Sequence, residues 1–270
     1  MSVRWGLGLA AVLVASGAIA QERTDCDDRF WGWRGPSAHV CEVRQLTVPA
    51  GGALSVDAGP NGSIRVTGEN RRDVQVRAEV HAWGYDEAEV ERIASAVNVR
   101  SDGVLRAEGP DQRGRSGWSV NYEVLAPRDI DLTLETHNGS IAIEGVRGDL
   151  SFEAENGSLK LDGVAGNVRG RTTNGGVEAE LTGETWEGTG LDLETTNGAV
   201  RLRIPEGYSA RLETGTVNGG IDIDFPVTVQ GRLGREFSTT LGGGGPLVRA
   251  ETTNGQVRIS RGRGDLTRLP

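Results

Sequence analysis

Apolar residues fall into columns when the chain is aligned on the dipeptide Asn-Gly, which occurs at Asn61, Asn138, Asn156, Asn174, Asn197, Asn218 and Asn254. Six positions before the Asn stand Leu132, Leu150, Val168, Leu191, Leu212 and Val248. Three after it stand Ile64, Ile141, Leu159, Val177, Val200, Ile221 and Val257, and five after it Val66, Ile143, Leu161, Ala179, Leu202, Ile223 and Ile259. Apolar residues two apart with polar ones between them mark a strand that buries one face. Each Asn-Gly therefore sits at a corner between two short strands. From Asn138 it returns at steps of 18, 18, 23, 21 and 36 residues, which makes strand, corner, strand, turn a repeated unit. The second turn is regular too: Gly145-Val146-Arg147-Gly148-Asp149 reappears as Gly163-Val164-Ala165-Gly166-Asn167. Glycine there supplies left-handed backbone where the chain reverses.

Two all-β architectures satisfy this pattern. In the first, a parallel β-solenoid of roughly 18–23-residue two-strand coils, the strands of each unit stack about 4.8 Å from those of the next. In the alternative, an antiparallel β-meander or sandwich, each Asn-Gly is a type I′ hairpin turn. The outward column four after the Asn reads Ala142, Lys160, Glu178, Arg201, Asp222 and Arg258, alternating in sign from Lys160. That order matters only where equivalent positions of successive units touch, so it favours the solenoid. In the inward column four before the Asn, Phe152 is followed one unit later by Gly170, so a large residue meets the space left by a small one.

The chain before Pro127 departs from the repeat. Val74, Val76, Ala78 and Val80 alternate as a strand, and Asp86-x-x-Glu89 opens a helix as a capping box. Val90, Ile93, Ala94 and Val97 give that helix its buried stripe, over about Asp86 to Ala96. Strands near Val104–Ala107 and Trp118–Val124 follow and are expected to form a hairpin across the polar loop Gly109–Arg115. The expected organisation is a signal peptide over 1–20, a disulfide-linked segment over 21–45, a β-solenoid over 46–260 and a tail over 261–270. The helix-bearing insertion covers about 81–127 of the solenoid and the regular repeats cover 128–260.

The leader rests on Arg4, the apolar run Trp5–Val14, and small residues through Ala18-Ile19-Ala20 ahead of Gln21. That run is too short to span a bilayer, so the mature chain is expected to carry no integral membrane span and to be exported, to the periplasm or to the extracellular side and cell surface. Cys26 and Cys41 are the only cysteines and lie just after the leader; in an oxidising compartment they are expected to pair. A redox or metal site is the rival reading. Cys-x-x-Cys spacing is absent, and His39 is the one imidazole near the cysteines in sequence.

Composition narrows the chemistry. The 270 residues include 41 Gly and carry a net charge of −9, the opposite of a phosphate-binding surface, so no nucleic-acid partner is expected. His39, His81 and His137 stand in unrelated contexts, without the spacing of a metal site. Lys160 is the only lysine, and neither a Gly-x-Ser-x-Gly elbow nor a phosphate loop occurs. Isolated Asp131, Asp149 and Asp162 do not make a calcium cage. Glu135, Glu153, Glu194 and Glu251 recur three before the Asn and read as a solvated face. Arg147-Gly148-Asp149 and Arg263-Gly264-Asp265 read as turns, the first because Ala165-Gly166-Asn167 fills the same slot one unit on. No catalytic, cofactor-binding or metal-ligating residues are therefore assigned, and no cofactor is expected. The row of Asn61, Asn138, Asn156, Asn174, Asn197, Asn218 and Asn254 is read as a structural turn ladder. Thr precedes it by two at Thr136, Thr172, Thr195, Thr216 and Thr252.

Units such as Thr136-His137-Asn138-Gly139-Ser140-Ile141, the Gly-Val-x-Gly-Asp/Asn turns, and Leu241-Gly242-Gly243-Gly244-Gly245-Pro246 ahead of Thr252-Thr253-Asn254-Gly255 resemble a secreted bacterial putative-adhesin domain family of unknown function. The resemblance covers roughly Leu46 to Ser260. It implies a cell-envelope β-solenoid with an adhesion role and brings no catalytic residues. The functional expectation is an exported, non-enzymatic, adhesin-like binding or scaffolding module of the bacterial envelope. Its ligand is an unidentified envelope or surface protein or polysaccharide, and the sequence leaves its oligomeric state open. The alternative is a carbohydrate-active enzyme using surface carboxylates on the solenoid face.

Overall fold

The computed structural model describes residues 20–22, 26, 38–112, 114–225 and 235–262. Residues 1–19 of the expected leader, the aromatic stretch Phe30–Pro36, the second Arg-Gly-Asp and most of the 261–270 tail lie outside the described residues.

The chain enters through β1 (Ala20–Glu22) and the long β2 (Ala38–Pro49), then makes β3 (Ala53–Asp57), β4 (Ile64–Glu69) and β5 (Asp73–Gly84). The helix α1 (Glu87–Ala96) follows, then β6 (Asn98–Arg100), β7 (Val104–Glu108) and β8 (Gly117–Pro127). The regular units are β9 (Asp131–Asn138) with β10 (Ile141–Glu144), β11 (Arg147–Asn156) with β12 (Leu159–Asp162), and β13 (Ala165–Asn174) with β14 (Val177–Glu180). They continue as β15 (Gly190–Asn197) with β16 (Val200–Ile204), and β17 (Ala210–Asn218) with β18 (Ile221–Ile223). After β19 (Glu236–Leu241) the last unit is β20 (Leu247–Asn254) with β21 (Val257–Arg261).

Within each unit the first strand lies in one sheet and the second in another, and units stack in parallel, as a β-solenoid requires. Equivalent columns meet as the alignment predicts: Ile141 faces Ile64 and Leu159, and Leu150 faces Leu132 and Val168. Their side chains fill the space between the sheets, and Leu134, Ile141, Leu159 and Leu193 are wholly buried. The hairpin alternative fails on backbone conformation as well as on pairing. A type I′ turn needs positive φ at both central residues, yet no non-glycine residue among those described has positive φ, and neither do the glycines following Asn138, Asn156, Asn174, Asn197, Asn218 and Asn254. Gly145 and Gly163 of the second turn do, at 64° and 58°.

Spatial order departs from chain order at both ends. The final unit β20/β21 lies between β15/β16 and β17/β18, so in the sheet that holds the second strands of the units the order runs β16, β21, β18. Across the outward column Lys160, Glu178, Arg201, Arg258 and Asp222 then follow one another, and the sign alternation expected from the sequence breaks where Arg201 meets Arg258. At the other end, β7 and β8 do not form a hairpin with each other. They pair in parallel with β3 and β4 in separate sheets, making a further coil beyond β3/β4, while β6 is the hairpin partner of β7. The helix packs on β2 and β5 at this end, burying Val90, Ile93 and Ala94 against Ala82. Asp86 accepts a hydrogen bond from the Glu89 N–H at 2.8 Å. The reciprocal Glu89 carboxylate takes the Tyr85 N–H, one residue before the expected partner.

Candidate functional site

The seven Asn residues lie on one edge of the stack, in the order 61, 138, 156, 174, 197, 254, 218. Each one after Asn61 donates its side-chain N–H to the Oδ1 of the neighbour before it, at 2.7–3.2 Å. Behind them, the hydroxyls of Thr136, Thr172, Thr195, Thr252 and Thr216 donate to glycine carbonyls of the adjacent corner at 2.6–2.8 Å. The glycine after each Asn is there for room: a Cβ on Gly157 would stand 1.8 Å from the Gly139 carbonyl oxygen, and one on Gly198 1.9 Å from that of Gly175. This edge spends its polar groups on itself.

The outward face of the sheet that holds the first strands of the units offers space. On β13, β15, β20 and β17 the residue just before the Asn is Thr173, Thr196, Thr253 or Val217, all exposed, with Val217 at 54%. Three before the Asn the same strands carry Arg171, Glu194, Glu251 and finally Gly215, which has no side chain to stand up from the sheet. Arg235 and Glu236, leading into β19, rise on the far side. The result is a groove of about 520 Å³ with a threonine floor and charged walls. Its charges are matched: Arg171 meets Glu194 at 2.9 Å, and Arg249 meets Glu251 at 2.7 Å and Glu194 at 4.0 Å. The hydrogen bond that Arg249 donates to the Glu251 carboxylate raises the Arg249 pKa, while burial raises that of Asp192 beside it. Such a surface suits a polar ligand of low net charge. Sequence reading took the carboxylate column as a solvated face and missed the groove, because the groove depends on β20 lying beside β17.

The cysteines meet a partner that sequence distance concealed. Cys26 and Cys41 form a disulfide with Cα atoms 6.2 Å apart. Alternation along β2 puts His39 and Cys41 on one face, and antiparallel pairing with β5 sets His81 directly across from Cys41. His81 Nε2 lies 3.9 Å from Cys41 Sγ and 3.8 Å from Glu79, while its Nδ1 is 3.4 Å from His39 Nε2. The two imidazoles stack at 5.5 Å. Burial, and then the neighbouring His39, lower the His81 pKa to about 4, so the ring is neutral at physiological pH. The register of β2 on β5 is what unites these groups, and neither strand states it alone. His137 lies far off along the chain and pairs with Glu155 at 2.5 Å on the outer face.

Among the described residues no helix is long and apolar enough to cross a membrane. No curated protein matches the chain. Among solved structures, a putative cell adhesion protein from Clostridium sporogenes is similar at 12% identity, covering 82% of this chain and 100% of that one, with a TM-score of 0.48. A putative adhesin from Bacteroides fragilis is 13% identical over 81% of this chain and 96% of its own, with a TM-score of 0.39. A putative lipid binding protein from Parabacteroides distasonis is 6% identical over 81% and 96%, with a TM-score of 0.31. The regular coils match a family model directly: residues 128–260 match the model of the Toastrack DUF4097 family.

Proposed function

We propose that this chain is an exported, non-enzymatic binding or scaffolding module of the bacterial cell envelope, and that it holds a polar surface ligand, protein or polysaccharide, in the groove over β13, β15, β20 and β17. The observation that carries the reading is the groove itself: a floor of Thr196, Thr253 and Val217 across three neighbouring strands, open where Gly215 leaves a gap, between charges that neutralise one another. Pairing of strands holds the floor rigid, so little ordering cost falls on binding. The leader and the family of the repeats support placement in the envelope.

The test uses the purified mature chain against a panel of envelope polysaccharides and against envelope extract, with Thr196→Arg/Thr253→Arg as the blocked variant. Retention of a ligand by the native chain and at least about tenfold weaker retention by the variant, a loss of about 1.4 kcal/mol, is the expected result. Turnover of a polysaccharide that disappears in Glu194→Gln or Glu251→Gln would replace this reading with that of a carbohydrate-active enzyme.

A further inference from the structure

The groove makes no use of the cysteine–histidine cluster at the other end of the molecule. There the sulfurs of Cys26 and Cys41 and a ring nitrogen of His81 all lie within 4.8 Å of one another. Zinc–sulfur bonds of about 2.3 Å and zinc–nitrogen bonds of about 2.0–2.1 Å give a tetrahedron with edges of about 3.5–3.8 Å. The Cys41 Sγ to His81 Nε2 separation of 3.9 Å is already close to such an edge. His39 adds the orienting contact, because its Nε2 stands 3.4 Å from Nδ1 of the same His81 ring. A ligating imidazole is held in one tautomer by this kind of partner. Strand pairing fixes three of these four residues, with His39 and Cys41 on β2 and His81 across from Cys41 on β5. Cys26 is the one ligand brought in from upstream.

We propose that Cys26 and Cys41, once reduced, form with His81 a zinc site of three protein ligands, its fourth position left to water and its imidazole oriented by His39. Two thiolates and an imidazole select zinc over hard cations such as magnesium or calcium. Two equivalents of a small thiol, or one of a dithiol, deliver two electrons and two protons to the S–S bond and depart as their own disulfide. Zn²⁺ then takes both sulfurs as thiolates, releasing their two protons to solvent. His81 offers the Nε2 lone pair and keeps its Nδ1 proton, which it donates to His39. In the oxidised chain the sulfur lone pairs belong to a disulfide and the site is closed. The cluster is thus a redox-gated metal site, in which an ion takes over the tie between Cys26 and β2 that the disulfide provides.

The test takes the full mature chain in two forms, oxidised and phosphine-reduced with the reductant removed under argon. Each is titrated with Zn²⁺ against a chromogenic chelator and with Co²⁺ as a spectroscopic probe, and circular dichroism checks the strands. The expected result is one zinc per reduced chain, thiolate-to-cobalt charge-transfer absorption, and neither in the oxidised chain. His39→Ala should weaken zinc binding by about 10–100-fold, and His81→Ala by more. His81→Asn stands in if the alanine variant loses its strands. Equal binding by both redox forms, no binding by the reduced chain, or unchanged affinity in a folded His81 variant would overturn the proposal. None of these outcomes bears on ligand retention by the groove.

Discussion

Phe152 and Gly170 occupy one column on neighbouring strands, and their sizes are set by each other. A Cβ on Gly170 would come within 2.1 Å of the Phe152 ring and 2.9 Å of Leu193. The ring is 3% exposed, whereas Glu153 next to it points to solvent. Phe152→Ala should therefore cost about 3–5 kcal/mol through lost burial and the cavity left behind, and Glu153→Ala no more than about 0.5 kcal/mol; urea unfolding of the two variants measures both. Complementarity of this kind was legible, because columns of the alignment become neighbours in space. The reason for the corner glycines was not. The sequence shows Asn-Gly, a hairpin signal by its chemistry, and nothing in one copy reveals that the next corner's carbonyl oxygen occupies the place of a side chain.

Elements show the same division. The helix was readable from its cap and stripe, whereas the group that ends it lies on another strand. Arg44 of β2 donates to the carbonyl oxygens of Val97 and, at 2.7 Å, Ala94, and pairs with Glu42 at 3.2 Å. No basic residue stands in the last turn of α1, so this buried guanidinium supplies both the hydrogen bonds and the positive charge that a helix C-terminus calls for. Arg44→Met should destabilise the chain by about 3–5 kcal/mol, since it breaks a buried ion pair and strips two carbonyls of a donor. Hydrogen exchange should then show α1 opening before the regular coils. The pairing of His81 with Cys41 was hidden for a like reason: antiparallel register between strands 40 residues apart is a tertiary fact.

At the scale of the whole molecule, the repeat predicted the solenoid and its columns but not the order of its coils. The charge column gave the wrong order because it treats chain neighbours as spatial neighbours. In the structure Arg201 adjoins Arg258, and Arg258 reaches Asp222 at 3.7 Å. Exchanging that pair, as Arg258→Glu with Asp222→Arg, makes the signs alternate from Lys160 to the last coil. It should raise stability by about 0.2–1 kcal/mol for the new Arg201 contact. Thermal unfolding at low salt should show the gain, and high salt should shrink it. The displaced last coil also governs how the fold can be completed as the chain emerges from its N-terminus. Stacking can advance unit by unit through β16, after which the next surface belongs to residues not yet available. β17 and β18 must wait with their inner edges unpaired until 247–261 arrive to fill the rung between them and the stack. The coil over 247–261 thus works as a keystone: a chain cut short before it forfeits two coils, and once in place it is paired on both sides.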